Sequence, residues 1–177
     1  ERARGAEVSG ALPPAQQVSP GVALERAAYL RRKGMDVMAL ALVRYFPVRP
    51  PSDDTAGPIW RERKQLVMSA IKNGDSRGAY AAANAGLPGG ADAAEAEFFA
   101  GWIALSRLKD ANAAAAHFSR INEIGASPIT RGRALYWQGR AAEAQGDVIA
   151  AQAFYAEGAR HITTFYGQLA AEKAGIK

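Results

Sequence analysis

The residue types that most often catalyse reactions or bind metals are sparse in this chain of 177 residues, which has no cysteine and two histidines. Without cysteine there are no disulfides, thiol nucleophiles or thiolate metal sites. His117 and His161 form no His-Glu-x-x-His motif, so no metal site is expected. His117 adjoins an apolar stripe and is predicted to be a packed or rim histidine. His161 suits a helix C-terminus, where a cation is favourable.

Acidic pairs are the next candidates for chemistry, at Asp53-Asp54 and at Glu95 with Glu97. Two carboxylates can cleave a glycosidic bond when a dry cleft raises the pKa of one of them. The sequence around these acids predicts no such cleft, and helix caps or a solvated helix face explain them better. No phosphate-binding loop or Gly-x-Ser-x-Gly motif occurs. We therefore expect no catalytic residue and no cofactor.

The charge balance is basic, with a formal net charge of +5. Such an excess favours anionic partners, including acidic cell-wall polymers, although solubility alone also explains it. The basic runs are Arg31-Arg32-Lys33 and Arg61-Glu62-Arg63-Lys64, and neither alternates with aromatic residues as a groove for single-stranded nucleic acid would. No nucleic-acid partner is predicted. No apolar run approaches the length of a membrane span.

Alanine is the commonest residue, with 40 copies, whereas valine, isoleucine and threonine number 8, 9 and 4. Alanine is the best helix former, so an all-α fold is predicted. Residues 1–20 hold three prolines and are predicted to be a linker or loosely ordered arm, ahead of one repeat domain over residues 21–177. Turn and cap signals predict a first helix that ends at Gly34 and a second that begins at Asp36 and is stopped by Pro47. Further helices are predicted over about 58–73, 75–85, 92–108 and 128–145. Two Ala-rich helices are predicted after Asp110 and Asp147, and a last helix from about Thr163.

Turn signals recur at similar intervals along the chain. Gly34, Gly74, Asp110 and Gly146 are spaced 40, 36 and 36 residues apart, each between a longer helix and a shorter Ala-rich one. Gly101 followed by Phe118 resembles Gly139 followed by Phe154. A small residue in the first helix and an aromatic in the second let the two helices approach closely. This period predicts a right-handed α-solenoid of stacked helical hairpins, similar to tetratricopeptide repeats, with an irregular α-bundle as the alternative.

Large aromatic residues are predicted to anchor these hairpins. An exposed tryptophan on a concave face that stacks on sugar is the alternative to core packing. The predicted anchors are Trp60, Trp102, Trp137, Phe118, Phe154 and Tyr166.

Four passages together resemble the helical superdomain of the soluble lytic murein transglycosylases of Gram-negative bacteria. They are Trp60-Arg61-Glu62-Arg63, "AEAEFFAGWIALSRLKD" at 94–110 leading to "AAAAHFSRI", "SPITRGRALYWQGRAAEAQGD" at 127–147, and "TTFYGQLAAEKAG" at 163–175. The resemblance implies a periplasmic protein whose parent enzyme cleaves peptidoglycan strands and leaves anhydro-muramyl products.

The resemblance also implies that this chain is not itself the catalyst. The family's catalytic glutamate lies in a Glu-Ser dipeptide of a lysozyme-like domain, and this chain has no Glu-Ser dipeptide. We expect a helical scaffold segment, trimmed of a signal peptide and joined to the catalytic domain in the parent. A basic concave surface would steer anionic peptidoglycan toward the active site. The candidates for that role are Arg61, Arg63, Arg131, Arg133 and Arg140, for which ordinary surface pairing is the alternative.

A second functional class is compatible with the same repeats. Tetratricopeptide-like proteins commonly bind a protein partner in the groove of the stacked hairpins. The sequence therefore leaves a protein–protein adaptor as the alternative to a peptidoglycan scaffold.

Overall fold

A computed structural model describes residues 19–48, 53–124 and 127–176. These residues form helices and no strand, which confirms the predicted all-α class. The predicted arm at residues 1–20 lies outside the described residues except for its last two. The α-helices are α1 (Pro20–Arg32), α2 (Asp36–Leu40), α3 (Asp53–Lys72), α4 (Ser76–Ala83), α5 (Gly90–Ser106), α6 (Ala111–Ile124), α7 (Pro128–Ala144), α8 (Val148–Gly158) and α9 (Phe165–Ala174), with short 3₁₀ helices at Val43–Tyr45 and Ala159–His161.

The chain divides into two compact units, Glu1–Pro88 and Gly89–Lys177. In the first unit, α1 packs on α2 and on α3, and α3 packs on α4. In the second unit, α5 pairs with α6 and α7 pairs with α8. Helix α7 also lies against α5, α6 and α9, and is therefore the central helix of that unit.

Three of the tight turns have the same construction. Two residues before the second helix stands a glycine with positive φ, namely Gly34, Gly74 or Gly146. Its successor donates its backbone N–H to the carbonyl five residues earlier, as Asp147 does to Ala142. Left-handed backbone favours glycine because no Cβ meets the following carbonyl oxygen. Between α5 and α6 the turn is one residue longer, and Lys109 takes the positive φ, at 57°.

The second helix of each hairpin presents a constant pattern to its neighbour. The Asp75, Asp110 and Asp147 side chains accept a hydrogen bond from the backbone N–H three residues on, which caps the helix. The fourth residue after the turn is always a buried alanine, and the eighth is also buried. In each hairpin, the last residue of the turn and the fourth and eighth residues after it are, in chain order, Met35, Ala39 and Val43; Asp75, Ala79 and Ala83; Asp110, Ala114 and Phe118; and Asp147, Ala151 and Tyr155.

This pattern corrects one predicted pairing. Tyr155, 2% exposed, occupies the place next to Gly139 that was predicted for Phe154, which is only partly buried. The reason is the turn: the longer connection before α6 shifts that hairpin by one residue relative to the α7–α8 hairpin. The Gly101–Phe118 pairing is observed as predicted, with Phe118 fully buried.

Two helix boundaries also differ from prediction. Helix α3 begins at Asp53, so Pro58 lies inside it instead of at its start. Pro58 lies close to the N-terminus of α3, where it removes one backbone hydrogen bond without ending the helix. Helix α2 ends at Leu40, before the Pro47 that was predicted to stop it. Met38 is 54% exposed, and the buried side chains of this segment are Ala39, Val43 and Phe46.

Small residues form much of the buried surface of the second unit. On α5 the large side chains of Phe98, Trp102 and Leu105 are only partly buried, and the core face is made of alanines with Gly101 and Ile103. Likewise Phe165 of α9 is 69% exposed, while Gly167, Ala170 and Ala171 are buried. Alanine and glycine let helix axes approach, so the large side chains lie along the edges of the contacts.

Candidate arginine and aromatic site

The predicted arginines fall in different environments. Arg61, on α3, is exposed. Arg63, two residues on, is 3% exposed, and its Nη1 donates to the carbonyls of Ala81 and Ala82 at 3.2 and 3.1 Å. These carbonyls lie at the C-terminus of α4, where a cation is favoured. Arg63 is therefore a buried side chain at a helix terminus, and its role as a glycan-steering cation stays a prediction.

Helix α7 carries the other three predicted arginines. Arg131 is exposed and lines a polar groove of about 250 Å³ with Asn122, Leu135, Glu157 and His161. Arg133 and Arg140 lie on a different side of the helix together with Trp137, because positions i, i+4 and i+7 share a face. All three are partly buried. The structure therefore brings two of the five predicted arginines together with an aromatic side chain.

We call Phe98, Arg133, Trp137 and Arg140 the Trp137 face. The guanidinium of Arg133 lies 4.4 Å from the ring centre of Phe98, and that of Arg140 lies 5.3 Å from the ring of Trp137. The Phe98 and Trp137 rings meet edge to face at 6.1 Å. Two cations thus flank two partly exposed rings, held in place by cation–π contacts.

Neighbouring groups stabilise the positive charge of Arg140. Burial lowers its pKa, but a hydrogen bond from Nη1 to the Tyr136 hydroxyl, 2.8 Å, and nearby negative charge raise the pKa above its ordinary value. Arg140 is therefore a permanent cation. The Nε atom of Arg133 and the Nε1 atom of Trp137 are buried without a hydrogen-bond partner among the described residues, so both side chains are held by packing.

Aromatic side chains behind this face support it. Trp137 contacts Phe118 at 6.0 Å and Tyr136 at 5.4 Å, and Tyr136 contacts Tyr166 at 5.6 Å between ring centres. Phe118 is fully buried, whereas Tyr166 is partly exposed. The rings form a continuous support from α6 to α9 that limits movement of the Trp137 indole.

The predicted anchors consequently divide into two groups. Trp60, 2% exposed, and Phe118 are core residues. Trp102, Trp137, Phe154 and Tyr166 are only partly buried, and the Arg107 guanidinium lies 5.7 Å from the Trp102 ring. Their large rings cover the edges of helix contacts whose centres are filled by small residues.

One ionic cluster was missed by sequence reasoning. Glu97, expected on a solvated face, is 5% exposed and accepts hydrogen bonds from Arg120 at 2.8 Å and, through Oε2, pairs with Nδ1 of His117 at 2.6 Å. It joins α5 to α6. Its position one helical turn before Gly101 was the signal that it faces α6. A carboxylate held between two basic groups is a structural tie between helices.

No group of three or more potential metal ligands is found among the residues that the structure describes. The side chains of Asp53 and Asp54 lie outside the description. Within the same described ranges, no helix is both long and apolar enough to cross a bilayer.

No family model, curated protein or solved structure matches this chain.

Proposed function

We propose that this chain is a non-catalytic helical scaffold of a lytic transglycosylase and that its Trp137 face binds peptidoglycan strands. The observation that carries the proposal is the pairing of two arginines with two partly exposed rings on that face. Rings stack on the C–H faces of sugars, and guanidinium groups bind carboxylates through paired hydrogen bonds. Peptidoglycan presents both, as sugars and as the carboxylates of its peptides.

The sequence resemblance and the helices support the same proposal. The passage at 94–110 contains α5 apart from its first four residues, and the passages at 127–147 and 163–175 contain α7 and α9. Phe98 lies in the first passage, and the other three residues of the Trp137 face lie in the second. The passages that resemble the transglycosylase superdomain therefore supply the whole candidate site.

The proposed architecture is a tetratricopeptide-like solenoid in which hairpins stack. Two features support it: the shared pattern of buried residues at the fourth and eighth positions after each turn, and the contacts of α7 with both neighbouring hairpin helices in the second unit. Each hairpin leaves one apolar side for the next to cover. In the periplasm such a scaffold would position glycan strands for a catalytic domain.

The test is binding of the purified chain to protease-treated, protein-free sacculi over a series of NaCl concentrations. Arg133→Gln with Arg140→Gln should weaken binding about tenfold or more, since each removes charged hydrogen bonds. Arg77→Gln with Arg160→Gln is the charge-matched control, because both arginines are exposed and lie outside the Trp137 face, and it should stay close to wild type. Salt should weaken binding of the wild type. Equal binding by the two double variants, with circular dichroism confirming folding, refutes the proposed site.

A protein–protein adaptor is the second candidate, favoured by one observation. Ile129 and Phe165, in the first turns of the packed helices α7 and α9, are each 69% exposed. Exposed apolar side chains on packed helices suit a protein partner. An adaptor would bind untreated cell-envelope fragments and lose that binding after protease digestion, whereas a glycan scaffold would bind both.

A further inference from the structure

The first unit contains a groove that the proposed function does not use. It has a volume of about 580 Å³ and is bounded by the α2 and 3₁₀ segment on one side and by α3 and α4 on the other. Its lining combines apolar side chains with two cations. The residues that carry the argument are Leu40, Val43, Val48, Arg44, Arg63 and Asn84.

Arg63 lines this groove and has no acidic partner within the part of the chain that the structure describes. Its Nη1 donates to two carbonyls of α4, and its Nε is buried with no hydrogen-bond partner among the residues that the structure describes. The ring of Phe46 lies 5.4 Å from the guanidinium. Burial lowers the pKa of Arg63 to about 10, because removing the charged form from water is unfavourable. An anion brought into the groove would offset that cost.

Arg44 supplies a second cation at the rim. It is exposed, and its Nη2 donates to the hydroxyl of Tyr45 at 2.7 Å, so the guanidinium is held over the Tyr45 ring at 4.9 Å. Val48, 71% exposed, adds apolar surface nearby. A ligand that fits this lining has a negative head and a small apolar body.

We propose that this groove binds the C-terminal carboxylate of a peptide that ends in small or medium apolar residues. The arginines would take the carboxylate, the apolar lining would take the side chains, and the exposed Asn84 amide would pair with a peptide group. The groove is open, so a peptide chain can continue outward into solvent. Its volume lies within the ordinary range for ligand sites.

The probe is acetyl-Leu-Ala with a free carboxylate, titrated into the full chain by calorimetry, and acetyl-Leu-Ala amide is its matched control. The amide should bind about tenfold more weakly, because it lacks the charge that arginine recognises. Octanoate is the third probe and distinguishes a fatty acid from a peptide.

Variants on exposed side chains avoid disturbing the fold. Arg44→Gln removes one cation and Val48→Asp places a negative charge at the rim, so each should weaken binding of the free peptide about fivefold or more. Arg77→Gln, on the exposed surface of α4 outside the groove, is the control and should bind as wild type does.

Any of three results overturns the proposal. They are no heat of binding for the free peptide, equal affinity for peptide and amide, and equal affinity of Arg44→Gln and Arg77→Gln. Tighter binding of octanoate than of the peptide overturns the peptide assignment. The two tests can fail separately, because the substitutions in the groove and those on the Trp137 face lie in different units.

Discussion

Gly139 of α7 and Tyr155 of α8 are in such close contact that a Cβ at position 139 would overlap the Tyr155 ring. A Cβ built on Gly139 would lie 2.3 Å from Cε1 of Tyr155, and Tyr155 is 2% exposed, so the ring has little room to move. The aromatic ring occupies the space that a side chain at position 139 would need. The close approach of α7 and α8 at this point therefore requires the absence of a side chain at position 139.

Gly139→Ala should destabilise the protein by about 1–3 kcal/mol, since the added methyl group forces the helices apart. Gly21→Ala is the control, because a Cβ at Gly21 meets nothing within 4 Å. Urea unfolding followed by circular dichroism measures both. Combining Gly139→Ala with Tyr155→Leu should cost less than the sum of the two single changes. Strict additivity would show that the pair is not in contact.

Lys109 is the one non-glycine residue with positive φ among those that the structure describes. Lys109→Gly should raise the free energy of unfolding by about 1 kcal/mol, because glycine adopts the left-handed region without strain. Gly146→Ala, at the equivalent place before Asp147, should lower it by a similar amount. Thermal unfolding of the two variants checks the opposite signs. A loss of stability in Lys109→Gly would contradict the turn geometry.

The pH dependence of stability should reveal Tyr155. Burial, and then the hydrogen bond that its hydroxyl donates to Glu143, raise its pKa well above the ordinary value of 10. The folded protein then keeps a proton that the unfolded chain releases. The stabilisation is complete below pH 10 and declines as the pH rises beyond it.

Tyr155→Phe isolates this effect from the other tyrosines. The variant should be less stable than wild type by about 1 kcal/mol at neutral pH, through loss of the hydrogen bond. The difference should shrink above about pH 10, where wild type loses its extra stability. Denaturant unfolding at several pH values measures it. A difference that stays constant with pH would exclude the raised pKa.

The tryptophans should differ in their contribution to stability. Trp60→Ala should cost about 3–5 kcal/mol, because the indole is 2% exposed and its removal leaves a cavity. Trp102→Ala should cost less than half as much, because Trp102 is partly exposed and covers an edge. Guanidinium unfolding followed by circular dichroism compares them. Equal losses would show that Trp102 is a core residue after all.

The sequence by itself determined the helical class and most of the turns. Forty alanines with few β-branched residues leave a helix as the favoured backbone, and Gly74 and Gly146 end helices because glycine adopts positive φ without strain. Capping by Asp75 and Asp147 is equally local, since the carboxylate bonds to a backbone N–H three residues on. Interactions between residues that are close in the chain can be predicted from the sequence.

Only the tertiary structure decided which side chains the helices bury. Phe154 and Tyr155 are adjacent aromatic residues. The extra residue in the turn before α6 offsets the two hairpins by one position, and it is Tyr155 that contacts Gly139. Arg63 and Arg61 are two residues apart on one helix, yet one caps α4 and the other is exposed. Burial depends on which helix lies alongside, and that contact is made by residues far apart in the chain.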